Sequence, residues 1–193
     1  KLMLDQGKAV EAEEFFQSAS KLDKKNPDIF AKIGEAYLSN KKPNGNKAVE
    51  YLSIARDMNP SVAKYWALLG DAYELTGEHG EAMTCYETAI KKDPTISSAY
   101  ISMARIWTKA KQDSLAIPLL EKAIELSPND AQPYKYLIEL YIKNGKYAKV
   151  TPLLDKYVSL SGDDVDAKVR LVKFLTFQAK DYDRAILEGE KLL

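Results

Sequence analysis

The sequence predicts an all-α fold, an α-solenoid of antiparallel helix-turn-helix units that wind into a right-handed superhelix. The first observation is a period of 34 residues, which separates Pro60 from Pro94 and Pro94 from Pro128. Apolar residues also recur at helical spacing twice within each period. Small and aromatic residues keep the same period, as in Ala48, Ala82, Ala116, Trp66, Tyr100 and Tyr134. Self-similarity at such a period indicates stacked helical hairpins.

The repeats follow one another along the whole chain, which we predict to be a single domain over residues 1–193. A two-residue insertion falls in the segment NKKPNGN, where Asn44 and Gly45 form a turn signal. Because both ends fall within repeats, we expect the chain to be a section of a longer array. The predicted repeats are 1–23 (partial), 24–60, 61–94, 95–128, 129–162 and 163–193 (partial).

Each repeat divides into two helical stretches that are separated by a short turn. In the repeat at 61–94 they run from about residue 62 to 76 and from about residue 80 to 92, with the turn in TGEHG. In the preceding repeat Asn26 and Pro27 open the first helix, because asparagine caps a helix and proline is tolerated at its first position. The pattern therefore predicts a first and a second helix in every complete repeat.

Gly70 lies in the middle of a predicted first helix, where glycine costs about 0.5–1 kcal/mol relative to alanine. Two antiparallel helices approach most closely where small residues face each other. We therefore expect Gly70 to lie against Ala82 or Ala89 of the second helix, with Trp66 and Tyr73 beside it on the same face. Close packing would then offset the cost of the glycine.

The later repeats depart from this pattern. The glycine position becomes Ile138 in the repeat at 129–162, which also has Val150 and Tyr157 where alanines stood. We therefore expect the two helices of this repeat to be spaced more widely than those around Gly70. Prolines also fall inside predicted second helices, so these helices are expected to start late or to bend, and the one at 129–162 to begin at or after Lys149. The two prolines are Pro118 and Pro152.

The segment WALLGDAY, followed by Ala82, Ala89 and Pro94, resembles the signature of the tetratricopeptide repeat (TPR) family. The resemblance extends over the whole chain and implies the helical hairpin fold. It also implies a scaffold for protein–protein interaction, in which the first helix of each repeat lines a groove that binds a peptide or protein. The lysine, arginine and asparagine clamp of chaperone-binding TPR domains is absent, which argues against a co-chaperone role.

The composition argues against several other classes of function. The chain has 28 Lys and Arg against 28 Asp and Glu, so it lacks the positive charge that general nucleic-acid binding requires. Its longest charge-free run, residues 94–104, is far shorter than the roughly 20 apolar residues that span a bilayer. We therefore predict neither nucleic-acid binding nor membrane insertion.

Nothing in the sequence forms a catalytic or metal-binding pattern. The chain has a single histidine, His79, in a turn and a single cysteine, Cys85, on a helix, and it has no CxxC or HxxxH pair. There is no glycine-rich phosphate loop, and the carboxylates are scattered over helix surfaces. We predict that the chain is not an enzyme and holds no cofactor or metal.

The candidate binding residues follow from helical geometry, because they share the side of each first helix that is turned away from its packing face. Tyr136 and Phe177 lie outside the repeated packing positions and are expected to face outward. Along this groove the earlier repeats are mainly acidic and the later ones mainly basic, which predicts an acidic partner; scattered surface charge is the alternative reading. The candidates are Glu35, Lys64, Asp71, Glu74, Arg105, Lys109, Lys135, Tyr136, Glu139, Lys143 and Lys173.

Three classes of function remain open at this level. The first is a non-catalytic interaction module that binds a peptide or protein segment in the groove. The second is an assembly scaffold that associates with itself through its ends, where leucines would present apolar surface. The third is the recognition arm of a larger enzyme or regulator. The leucines are Leu2, Leu4, Leu192 and Leu193.

Overall fold

The computed structural model describes residues 2–162 and 164–192, and these ranges contain helices and no strand. The predicted all-α class is confirmed. The predictions for Leu193 and for the side chain of Leu2 lie outside the described residues. The helices are α1 (Leu2–Asp5), α2 (Ala9–Leu22), α3 (Pro27–Leu38), α4 (Gly45–Met58), α5 (Ala63–Thr76), α6 (His79–Lys92), α7 (Ser97–Lys109), α8 (Asp113–Leu126), α9 (Ala131–Lys143), α10 (Val150–Leu160), α11 (Val165–Phe174) and α12 (Tyr182–Glu190).

The chain divides into two compact units, an N-terminal unit of residues 1–106 and a C-terminal unit of residues 107–193. The N-terminal unit contains α1 to α6 and most of α7, and the C-terminal unit contains the end of α7 and α8 to α12. The single domain expected from the sequence stays a prediction.

The N-terminal unit is built from two helical hairpins, α3 with α4 and α5 with α6. Asn26 caps α3 by accepting from the backbone N–H of Asp28, and Pro27 is the first residue of that helix, as predicted. Within the segment that holds the insertion, the side chain of Asn44 accepts from the N–H of Lys47 and caps α4. Local capping therefore fixes where these helices begin.

The turn of the α5–α6 hairpin depends on Gly77. It ends α5 with a φ of +87°, in the left-handed region that favours glycine. The small residues predicted to pack in these hairpins are fully buried, and Ala48, Ala55, Ala82 and Ala89 have no exposed surface. The helical hairpin predicted for the repeat at 61–94 is thus confirmed.

The partner predicted for Gly70 is wrong. A Cβ atom at this position would lie 2.5 Å from Cε1 of Tyr86, so the glycine makes room for an aromatic ring and not for Ala82 or Ala89. Gly34 is placed in the same way against Leu52, one period earlier. The small residue of the first helix faces a large residue of the second, because the two side chains must together fill one space.

The repeated aromatics and prolines are joined by a hydrogen bond that the sequence analysis missed. The indole N–H of Trp66 donates to the carbonyl of Pro60 at 2.9 Å, and the hydroxyl of Tyr134 donates to the carbonyl of Pro128 at 3.0 Å. Tyr100 and Pro94 make the same bond at 3.2 Å. These bonds tie each turn to the helix that follows it.

The two prolines in second helices behave differently. The helix α10 begins at Val150, after a 3-10 turn at Tyr147–Lys149, so the late start predicted from Pro152 is confirmed. The helix α8 does not start late, because it begins at Asp113 and carries Pro118 in its interior; the bend, which was the alternative for this helix, stays a prediction. The wider spacing expected between the helices of the repeat at 129–162 stays a prediction.

Candidate functional site

The first predicted binding residues in the N-terminal unit pair with each other. Nζ of Lys64 on α5 lies 3.3 Å from Oε2 of Glu35 on α3. Both side chains are about half exposed, at 62% and 46%, so this pair contributes little to stability. It nevertheless places the two charges against each other on neighbouring first helices.

Asp71 is held inside the N-terminal unit by hydroxyl groups. Its Oδ1 accepts from the hydroxyl of Tyr86 on α6 at 2.7 Å and from that of Ser102 on α7 at 3.1 Å. Burial raises the pKa of the Asp71 carboxyl, against the opposing effect of these hydrogen bonds. One carboxylate therefore joins three helices.

Glu74 and Arg105 form another ion pair in this unit. Oε1 of Glu74 lies 2.7 Å from Nη2 of Arg105, and the glutamate is only 8% exposed. Ala67 and Ile101, which lie on the same helix faces, are also buried. The charges predicted to line a groove in this unit are directed at neighbouring helices.

Lys143 of the C-terminal unit forms an ion pair at the start of α8. Nζ of Lys143 lies 2.8 Å from Oδ2 of Asp113, which also accepts from the side-chain amide of Asn144 at 3.0 Å. The hydrogen bonds from Lys143 and Asn144 lower the pKa of Asp113. Lys109 is exposed at the end of α7, and Tyr136 is half-buried on α9.

The other candidates of the C-terminal unit come together at a cleft between α9, α10 and α11. Its volume is about 220 Å³. Ile138, Leu154 and Phe174 line its buried part, with exposures of 6%, 2% and 3%. The structure thus brings three sequence-predicted residues to one apolar cleft: Lys135, Glu139 and Lys173.

The rim of this cleft is positively charged. Glu139 forms an ion pair of 3.5 Å with Arg170, and both side chains are about half exposed. Within residues 2–162 and 164–192, Lys135 and Lys173 have no ion-pair partner. Three cations against one carboxylate leave the rim with an excess of two positive charges.

The cleft follows from the departure of this repeat from the repeated pattern. Leu154 stands 34 residues after the position of Leu120, and two periods after Tyr86. In the N-terminal unit glycine leaves room for the residue at this position, whereas here Ile138 carries a branched side chain. Ile138 and Leu154 both line the cleft.

The C-terminal end of α11 completes the cleft. A π-helical segment, Leu175–Ala179, continues this helix and places Gln178 in the lining. Phe177 is 71% exposed, which confirms that it faces outward. Sequence reasoning missed Arg170, Gln178 and the π segment. The extra residue of this segment does shift the register, since the buried Ala185 stands 35 residues after Val150 and not 34, but a shift of register does not show that the added residue lies in a π-helical turn.

No group of three or more His, Cys, Asp and Glu side chains within the described residues could hold a metal ion. His79 is exposed at the start of α6, and burial raises the pKa of the Cys85 thiol to about 11. No helix in the described ranges has the length and apolar character needed to cross a membrane.

The tetratricopeptide repeat family model matches residues 63–96, which comprise α5, α6 and the turn after them. The structure gives this segment the helical hairpin of the family, and the solved structures similar to the chain include TPR proteins. Residues 63–96 are therefore a tetratricopeptide repeat. The resemblance inferred from WALLGDAY is confirmed.

Solved structures extend the likeness beyond this TPR segment. PilF of Pseudomonas aeruginosa is 18% identical with a TM-score of 0.76, over 98% of this chain and 85% of that chain. Residues 41 to the end of MamA from Desulfovibrio magneticus RS-1 are 21% identical with a TM-score of 0.66, over 86% of this chain and 92% of that chain.

YrrB, described as a TPR protein with an unusual peptide-binding site, is 17% identical with a TM-score of 0.63, over 92% of this chain and 90% of that chain. None of the curated protein sequences matches this chain. At these identities the likeness to solved structures establishes the fold, and the function has to be argued from the cleft.

Proposed function

We propose that this protein is a non-catalytic interaction module that binds a segment of another protein at the first helices of its C-terminal unit. The observation that carries the proposal is the apolar cleft between α9, α10 and α11, with two lysines at its rim that have no ion-pair partner among the described residues. An apolar lining with a few convergent polar groups is typical of a binding site.

The charge of the rim supports an acidic partner. Lys135 and Lys173 lie on different helices, α9 and α11, so the positive potential spreads across the cleft. Of the anchors expected from the sequence, Arg105 and Lys143 are paired with carboxylates and Lys135 lines the cleft. The peptide-binding site described for YrrB, a structural neighbour, also supports a peptide ligand.

The proposal is tested by affinity capture of a partner with the chain, followed by binding kinetics of that partner. Reversing both rim lysines, Lys135→Glu with Lys173→Glu, should slow association about tenfold or more at low salt. The effect should shrink near physiological ionic strength, where the screening length is about 8 Å. Lys91→Glu on α6 is the matched control, because this exposed lysine lies outside the cleft.

Unchanged kinetics in the double variant, with its helical circular dichroism intact, would contradict this location of the binding site. Equal losses in the control variant would instead show that overall net charge, and not the cleft, governs association.

An assembly role is the second candidate, because α2 exposes apolar side chains. Val10, Phe15 and Leu22 are 73%, 63% and 88% exposed. Leu4, which was expected to add to such a surface, packs partly against the core. Sedimentation equilibrium separates the two candidates, since only self-association requires a mass that rises with concentration. The recognition-arm alternative stays a prediction.

A further inference from the structure

The size of the cleft limits what it can hold. Pockets for small molecules and cofactors are typically about 300–1,000 Å³. The cleft of the C-terminal unit, at about 220 Å³, is smaller than this range. Its volume suits one large side chain.

The lining determines the character of that side chain. Ile138, Leu154 and Phe174 are nearly fully buried, and Ile142 and Tyr157 add apolar and aromatic surface. None of these five residues offers a charged group to a ligand. A bulky apolar side chain gains most from such a lining, because affinity rises with the apolar area removed from water.

The rim determines what must stand next to that side chain. Glu139 is already engaged by Arg170, whereas Lys135 and Lys173 are exposed and unpaired within the described ranges. Positive groups around an apolar cleft favour carboxylates in the ligand and disfavour cations. The complementary ligand therefore carries acidic residues beside its apolar one.

Gln178 adds a group that suits a peptide backbone. Its side-chain amide supplies both donors and an acceptor, the set needed to bond a peptide N–H and C=O. The π-helical segment Leu175–Ala179 positions this residue in the lining beside Phe174, and such segments often occur at functional sites.

We infer that the cleft recognises a short acidic segment of a partner protein through a single bulky apolar side chain, aromatic or branched aliphatic, flanked by carboxylates. The inference rests on the proposed function and names the class of segment that the site binds. It requires no free C-terminus in the ligand, because the rim lysines can meet side-chain carboxylates.

A synthetic peptide tests this recognition directly. The probe is fluorescein-labelled Gly-Asp-Glu-Phe-Glu-Asp-Gly with an amidated C-terminus, titrated with the 193-residue chain and followed by fluorescence anisotropy. One control peptide replaces phenylalanine by alanine, and another replaces the four acidic residues by lysine. Loss of the buried anchor should weaken binding about 10- to 100-fold. The lysine peptide should not bind measurably.

Variants of the chain locate the binding. Lys135→Glu with Lys173→Glu should weaken binding of the acidic probe at least about tenfold, a loss that falls with added salt. Gln178→Trp should fill the cleft and remove the preference for phenylalanine over alanine. Lys91→Glu should leave both properties unchanged, since Lys91 lies on α6 of the other unit. Thermal unfolding verifies that each variant is folded.

Equal affinity for the phenylalanine and alanine peptides, or no binding of either at millimolar concentration, would overturn the inference. So would occupation of the cleft by a second copy of the chain, seen as a dimer that Gln178→Trp abolishes. If a captured partner still binds in a manner that depends on Lys135 and Lys173, the interaction module stands and only the anchor is refuted. If that dependence is also missing, the proposed function fails with it.

Discussion

Replacing Gly70 by alanine tests the packing that holds the α5–α6 hairpin together. The added Cβ would lie 2.5, 2.8 and 2.9 Å from three atoms of the Tyr86 ring. Real Cβ contacts are longer than this, so the ring or the helix has to shift. Tyr86 has no room to do so freely, because it is fully buried and its hydroxyl donates to Asp71.

Two opposing effects set the magnitude. Alanine gains about 0.5–1 kcal/mol over glycine in a helix interior. Overpacking a well-filled core costs about 1–3 kcal/mol. The clash involves ring atoms that are also held by a hydrogen bond, so we expect overpacking to win by about 1–2 kcal/mol. Gly70→Leu should cost more.

Thermal and urea unfolding followed by circular dichroism measure this loss. For a chain of this size 1 kcal/mol corresponds to about 2–4 °C, so Gly70→Ala should melt about 2–8 °C lower. Gly80→Ala is the matched control, because Gly80 lies in α6 with nothing within 4 Å of an added Cβ. An unchanged or raised melting temperature for Gly70→Ala would refute the packing argument.

Two further predictions concern stability. Pro118→Ala should stabilise the chain by about 1–3 kcal/mol, because Pro118 lies inside α8, where it lacks an N–H and crowds the preceding turn; Pro152→Ala, in the first turn of α10, is the control and should change the unfolding free energy little. Glu13→Gln should destabilise the N-terminal unit by about 1–3 kcal/mol at neutral pH. Burial disfavours the charged form of Glu13, but hydrogen bonds from Tyr37, Tyr51 and Lys47 together lower its pKa below the ordinary value of 4.5. Its contribution is therefore present above the unfolded-state pKa and disappears as pH falls through the lower folded-state pKa, so the difference between the two proteins in urea unfolding should vanish in acid. A difference that persists there, or a Pro118→Ala variant no more stable than wild type, would contradict these accounts.

The hairpins could be predicted from the sequence because the 34-residue period records which positions are small, aromatic or proline. The period does not record which residue faces which across a hairpin. It therefore gave the correct burial of Ala82 and Ala89 but the wrong partner for Gly70, which lies against Tyr86. Contacts between helices depend on the angle at which they meet, and a list of equivalent positions lacks that angle.

The pairing of charges left a signal that sequence reasoning overlooked. Opposite charges recur at separations of 29 and 31 residues, slightly less than one repeat, and these separations join neighbouring first helices. A search for residues that recur every 34 positions does not detect these charge pairs. The pairs are Glu35 with Lys64, Glu74 with Arg105 and Glu139 with Arg170.

The same pairing explains why a candidate site arises in one unit of an electrically neutral chain. In the N-terminal unit the carboxylates of the first helices are bound by neighbouring groups. Glu35 and Glu74 form ion pairs and Asp71 accepts hydrogen bonds, so the acidic excess expected there from the sequence is largely compensated. In the C-terminal unit Glu139 pairs with Arg170, yet Lys135 and Lys173, beside the apolar cleft, have no ion-pair partner in the part of the chain that the structure describes. The net charge of the chain cannot reveal such a site. A partner interacts mainly with the charges that remain after neighbouring helices have formed their ion pairs. The double reversal of Lys135 and Lys173 therefore tests whether binding depends on where the unpaired charges lie and not on the net charge of each repeat.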